Sequence, residues 1–172
     1  MAILKIVTNP SPVLRKKTQP VTDFKDKKLK KLIEDMAETM YDAPGVGLAA
    51  NQVGISLQVA VIDAIWKSED KKRELRIFIN PEILEKKEPI PFEEGCLSLP
   101  GVTAEVKRYQ KVKVKYQDIN GKSHTLSAEG LLAVALQHET DHLNGKLYID
   151  HLSSIKREII LKKYKKLSAA EE

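Results

Sequence analysis

The chain has 172 residues, 42% hydrophobic and 31% charged, which fits one domain with a real core and excludes a low-complexity or disordered polypeptide. No stretch approaches the roughly 20 apolar residues that a membrane-crossing helix needs, and the single cysteine excludes an internal disulfide framework. The net charge of +5 favours an anionic neighbour, and the N-terminal MAILKIVTNPSPVL carries no basic leader or long apolar run, so a cytoplasmic address is expected.

In chain order, residues 3 to 7 read as a short strand before the turn at Asn9-Pro10-Ser11-Pro12. A helix begins near Asp26, with Leu29, Leu32, Ile33, Met36 and Met40 on one face, and ends at Asp42-Ala43-Pro44. The run GVGLAANQVG follows at 45 to 54. It lacks the closing Gly-Lys-Ser/Thr of a phosphate loop, so its glycines read either as a close backbone approach or as a turn beside a packed segment. Gln52 offers that run a polar handle.

Residues 57 to 62 and 75 to 79 read as strands joined by a polar loop, with Asn80-Pro81 breaking the second. An extended segment around 83 to 92 leads into EEGCLSLPG at 93 to 101. Residues 110 to 116 alternate strictly, and Asn120-Gly121 predicts a hairpin returning through 123 to 126. A second helix is expected from near Glu129 to Asn144-Gly145. From about residue 153, Ile155, Ile159, Leu161, Tyr164 and Leu167 supply apolar positions of a docking helix, while Lys156, Arg157, Lys162, Lys163, Lys165 and Lys166 make it basic. A solvated helix face is the more common reason for such lysines.

The chemistry concentrates in the second helix, at His138-Glu139-Thr140-Asp141-His142. Residues four apart share a helical face, so His138 and His142 can address one cation with Glu139 beside it as a base. Leu131, Val134 and Ala135 fall on the same stripe, which leads an apolar wall toward the metal. A catalytic site of this kind needs a third protein ligand. In the extended HExxHxxGxxH pattern the last position is Tyr148, and neither Glu158 nor the terminal Glu171 and Glu172 is a compelling carboxylate ligand. Cys96 remains, in a turn that presents a thiolate easily.

Together GVGLAANQVG at 45 to 54, EGCLSLPG at 94 to 101 and QHETDHLNG at 137 to 145 resemble the three signature motifs of the peptide deformylases, of the bacterial type I branch. The resemblance implies an α+β fold with antiparallel sheets packed around the central HExxH helix, flanked by N-terminal and C-terminal helices. It implies a single catalytic domain, 1–172, whose C-terminal helix and tail occupy about 153–172.

It also implies removal of the formyl group from N-terminal formylmethionine of nascent polypeptides. Cys96, His138 and His142 would hold one divalent metal ion, Fe(II) by resemblance, with Zn or another divalent ion an alternative. Glu139 would be base and then acid. Gln52 and the Leu97 backbone N–H would stabilise the oxyanion. Val46, Gly47 and Gly95 would bind the peptide backbone, with Phe92, Leu131, Val134 and Ala135 around the methionine side chain. Asp141 and Arg108 are candidate supports for the ligands. The chain departs from some bacterial members at Thr103, where they carry a peptide-contacting Arg. In the family the basic C-terminal helix can dock on the ribosome. Two rivals are an HExxH peptidase acting on ordinary peptide bonds and an RNA-binding domain with structural zinc, the latter disfavoured by the lack of a second cysteine.

Overall fold

The structure, a computed structural model, describes residues 2–69 and 72–170. Helix α1, Lys27–Asp42, starts where the Asp26 carboxylate accepts the Lys28 N–H at 2.9 Å, satisfying one of the donors a helix start leaves free. Its apolar stripe buries Leu29, Ile33, Met36 and Met40 against strands β1, Gly47–Ala49, and β2, Val59–Ile62. Met36 is fully buried there. Truncating such a side chain removes contacts the core cannot rebuild, so Met36→Ala is expected to lower unfolding free energy by about 2–5 kcal/mol in urea titration.

Strand β3, Arg76–Cys96, pairs with β4, Leu99–Gln117, which pairs with β5, Ser123–Glu129. All neighbours are antiparallel, and the five strands form one sheet in the order β1-β2-β3-β4-β5. The expected break at Asn80-Pro81 is absent. The register instead shifts between Ile79 and Glu82, with Asn80 at φ 52°, so proline's missing N–H falls in a bulge where the ladder does not need it. Asn80 also ties the bulge to Val21, accepting its N–H at 2.8 Å and donating to its carbonyl at 2.9 Å.

Two further expectations need correction. Residues 3 to 7 form no strand; their backbone is held by separate bonds, Leu4 N–H to Thr39 Oγ1 and Val7 N–H to the Gln52 carbonyl. Run 45 to 54 contains strand β1 followed by a 3-10 turn, Ala50–Val53.

Helix α2, Gly130–Leu143, touches every strand of the sheet. It stops at Asn144-Gly145, where Gly145 has φ 78° and a Cβ would come 2.6 Å from the Arg15 carbonyl. Only glycine fits there. Helix α3, Ser154–Ala170, docks through Tyr164, whose hydroxyl donates to the Asn9 carbonyl at 2.7 Å, with Ile160 and Leu161 beside it. Ile155 and Ile159 do not join that contact, being 71% and 59% exposed, because they lie on the helix face turned from Tyr164. Among the described residues no helix is long and apolar enough to cross a membrane.

Candidate active site

Three elements bring the sequence-predicted groups together. Helix α2 supplies His138 and His142 a turn apart, and their Nε2 atoms lie 3.0 Å from each other. The end of β3 supplies Cys96, whose Sγ lies 3.2 Å from His142 Nε2. The 3-10 turn after β1 supplies Gln52. Its Oε1 accepts the Ala49 N–H at 3.0 Å, which fixes the amide so that Nε2 faces Cys96 Sγ at 3.6 Å and Ser98 Oγ at 3.2 Å. Leu97 sits in the two-residue turn between β3 and β4, outside both strands.

The donor set fits a metal ion. One ligand atom each from Cys96, His138 and His142 lie within 4.8 Å of one another. A tetrahedral ion with the usual sulfur and imidazole bond lengths places its donors about 3.3–3.6 Å apart, close to this spacing. His138 Nδ1 lies 2.6 Å from Glu94 Oε1, so its other nitrogen is the one turned to the cluster, as oriented ligand imidazoles are.

The electrostatics point the same way. Burial opposes charge on His138, yet its hydrogen bonds with Cys96 and Glu94 outweigh that and raise its pKa well above the ordinary imidazole value. Burial, with His138 adjacent, pushes His142 well below it. Two imidazoles, a thiol and buried carboxylates in contact form a site that favours added positive charge.

Glu139 is buried at 4% exposure, and its Oε2 has no hydrogen-bond partner among the described residues. Burial, reinforced by Glu94 and Asp141 and opposed by His138 and Arg108, pushes its pKa up to about 7. Gly47 passes so close that a Cβ there would lie 2.6 Å from Glu139 Oε1, so glycine is what lets β1 run beside this carboxylate.

A cavity of about 810 Å³ opens over the cluster. Gln52, Cys96, Leu97, His138 and Glu139 line it, as do the predicted peptide-binding Val46, Gly47, Phe92, Gly95, Leu131, Val134 and Ala135. His142 lies beneath, 1% exposed. Leu131 is 39% exposed, so it forms part of the cavity rim and not of the core.

Residues 3–158 match the family model described as polypeptide deformylase. A peptide deformylase of Desulfotalea psychrophila is 59% identical over 166 residues, covering 96% of this chain and 97% of the relative. One from Mesorhizobium japonicum is 51% identical over 169 residues, covering 98% and 94%. The crystal structure of a peptide deformylase from Legionella pneumophila superposes with a TM-score of 0.91 at 47% identity, covering 99% of this chain and 98% of that one. The chain belongs to the peptide deformylase family.

In this deformylase the Cys96, His138 and His142 cluster rests on a buried ionic network whose full extent was not predicted. Arg108 grips Glu94 with two nitrogens, Nη2 to Oε1 at 2.9 Å and Nε to Oε2, and donates through Nη1 to Asp141 Oδ2 at 2.8 Å. Arg108 therefore supports the cluster through Glu94, with Asp141 behind Arg108, and neither touches His138 or His142. Asp141 also meets His151 Nε2 at 2.7 Å. Burial works against the charge on Asp141, but His151 and Arg108 prevail and bring its pKa down to about 2. Sequence reasoning passed over Glu94, although it stands two residues before Cys96 and so shares its strand face. It also passed over Ser98, whose N–H approaches Cys96 Sγ at 3.4 Å and which no local pattern marked.

Proposed function

We propose that this chain is a metal-dependent hydrolase that removes the formyl group from the N-terminal formylmethionine of newly synthesised polypeptides, releasing formate. The observation that carries the reading is the cluster of Cys96, His138 and His142 in one cavity with an unpartnered, buried Glu139. Cys96, His138 and His142 would hold one divalent ion, which when bound supplies Lewis-acid chemistry to the attacking water and the formyl oxygen. Iron(II) is the ion we assign, with zinc the alternative that the same donors accept.

Glu139 takes a proton from the attacking water and returns it to the departing amine, so that formamide and water become formate and a free methionine amine. A carboxylate raised toward neutrality can play both parts. Gln52 Nε2, held toward Cys96, and the Leu97 N–H donate to the oxygen as it gains charge. The methionine side chain packs among Phe92, Leu131, Val134 and Ala135, an unbranched thioether in an apolar slot. Val46, Gly47 and Gly95 receive the peptide backbone along the free edge of β1, as an added strand.

Residues 1–172 act as one catalytic domain, working in the cytoplasm on nascent chains. Exposed Lys162, Lys163 and Lys166 on α3 give it a basic face for the ribosome, so that association weakens with salt.

The test is product analysis with formyl-Met-Ala-Ser and acetyl-Met-Ala-Ser. Formate from the first and no reaction with the second supports the proposal. Cleavage of the Met-Ala bond would instead identify an ordinary peptidase.

A further inference from the structure

The loop between β2 and β3 braces one wall of the cavity. Asp63 is fully buried, and its carboxylate accepts the N–H groups of Ile65 and Trp66 at 3.1 Å each, that of Glu74 at 2.8 Å and the Tyr41 hydroxyl at 2.6 Å. One side chain thereby clamps both ends of the loop. The Tyr41 ring also meets the Trp66 ring edge-on, with centroids 5.2 Å apart, which orients the indole.

The braced wall is Pro44-Gly45-Val46, the irregular segment between α1 and β1, and all three residues line the cavity. Each of their carbonyls accepts a hydrogen bond from the loop. Lys67 Nζ donates to Pro44 at 2.9 Å, Trp66 Nε1 to Gly45 at 2.9 Å and the Asp63 N–H to Val46 at 2.8 Å. The Gly45 N–H donates to the Met40 carbonyl at 2.7 Å, and proline has no N–H to place. Of all the main-chain groups in this segment, only the Val46 N–H has no partner among the described residues. It is the donor this wall can offer to the backbone of an extended ligand.

Trp66 makes its bond from outside the cavity. Neither Trp66 nor Asp63 lines it, whereas Lys67 does and is exposed. The groove has little room to spare at Gly45, where a Cβ would lie 2.9 Å from Leu97 Cδ1 in the turn between β3 and β4. The position of Gly45 therefore sets the gap between these two elements.

We propose that Trp66 is a positioning residue for the peptide, holding the Gly45 carbonyl so that the neighbouring Val46 N–H stays in place to donate to the bound chain. This rests on the deformylase reading of the cavity. Trp66 touches no reacting group, so its loss acts on binding and not on the chemical step.

The test is Trp66→Phe, which keeps an aromatic ring against Tyr41 and removes the N–H. In the metal-loaded protein the KM for formyl-Met-Ala-Ser is expected to rise about two- to tenfold, the worth of one hydrogen bond, with kcat unchanged. Trp66→Ala, which loses the ring as well, should raise KM at least as much. Trp66 is the only tryptophan of the chain, so its indole N–H gives a single signal in the proton–nitrogen correlation spectrum of the zinc-loaded protein. That signal is expected to exchange with solvent more slowly than a free indole, and to shift saturably as the product peptide Met-Ala-Ser is added. An unchanged KM in Trp66→Phe, even with stability lowered, marks the bond as structural only and overturns the inference. So does a fall in kcat alone, or an indole signal unmoved by Met-Ala-Ser at concentrations that inhibit formate release. No formate from the wild-type protein overturns the deformylase reading and this inference with it.

Discussion

Glu139→Gln is expected to lower kcat by about 10²–10⁴-fold while leaving metal content and the KM for formyl-Met-Ala-Ser close to wild type. The amide keeps the size of the side chain but neither accepts a proton from water nor returns one to the amine. Glu139 does not belong to the set of three grouped ligand atoms, so metal retention separates loss of a base from loss of a ligand.

Stability gives a second readout. A carboxyl whose folded-state pKa is raised from 4.5 to about 7 contributes stability that is fully present below the unfolded value and is lost as pH rises through the folded one. The metal-free Gln variant, which never ionises there, is therefore expected to be at least as stable as metal-free wild type at pH 8. Activity that falls while stability holds or rises marks a group kept for chemistry at a cost to the fold. Unchanged turnover in the variant would remove Glu139 from the mechanism.

Arg108→Met is expected to destabilise the protein by about 3–5 kcal/mol, because it strands buried Glu94 without its cation. Arg108 and Glu94 are 3% and 4% exposed, so water cannot replace the lost partner. The same change frees Glu94 from its two-nitrogen grip, and Glu94 is what holds His138 Nδ1. Metal affinity should fall with it, by about 10–100-fold, the usual effect of losing an outer hydrogen bond to a ligand imidazole. Both losses are measurable, one by urea unfolding of the metal-free protein and the other by competition with a chelator. A variant with unchanged unfolding midpoint and unchanged affinity would show that the network is not what supports the cluster.

What could be read from the sequence depended on whether the signal was local. Helix α1 was legible because Leu29, Ile33, Met36 and Met40 repeat on one face and all four are buried. Helix α2 was legible through its motif and its Asn144-Gly145 stop. The length of β3 was not, because Glu82–Pro89 alternates little and is mostly exposed, giving no apolar period to detect. The continuation of β4 back to Leu99 was hidden for a similar reason, since its first half is interrupted by Pro100 and Gly101.

In the candidate site, residues inside the three motifs were legible as a set, and the structure places them in one place. The support beneath them was only partly so. Glu94 meets Arg108 because Glu94 pairs across the sheet with Ala104, and Arg108 lies four residues further along β4 on the same face. That parity belongs to the strand register, which no single segment announces. His151 reaches Asp141 only because the chain turns back after α2 through the 3-10 turn Tyr148–His151.

Formate release as a function of bound metal tests the central claim most directly. The protein would be stripped of metal, titrated anaerobically with iron(II), and assayed at each step with formyl-Met-Ala-Ser while bound metal per chain is measured. The account predicts no formate from the stripped protein, and a rate that climbs in proportion to bound metal and levels off at one ion per chain. Formate from the metal-free protein, or none with one ion bound per chain, would contradict it.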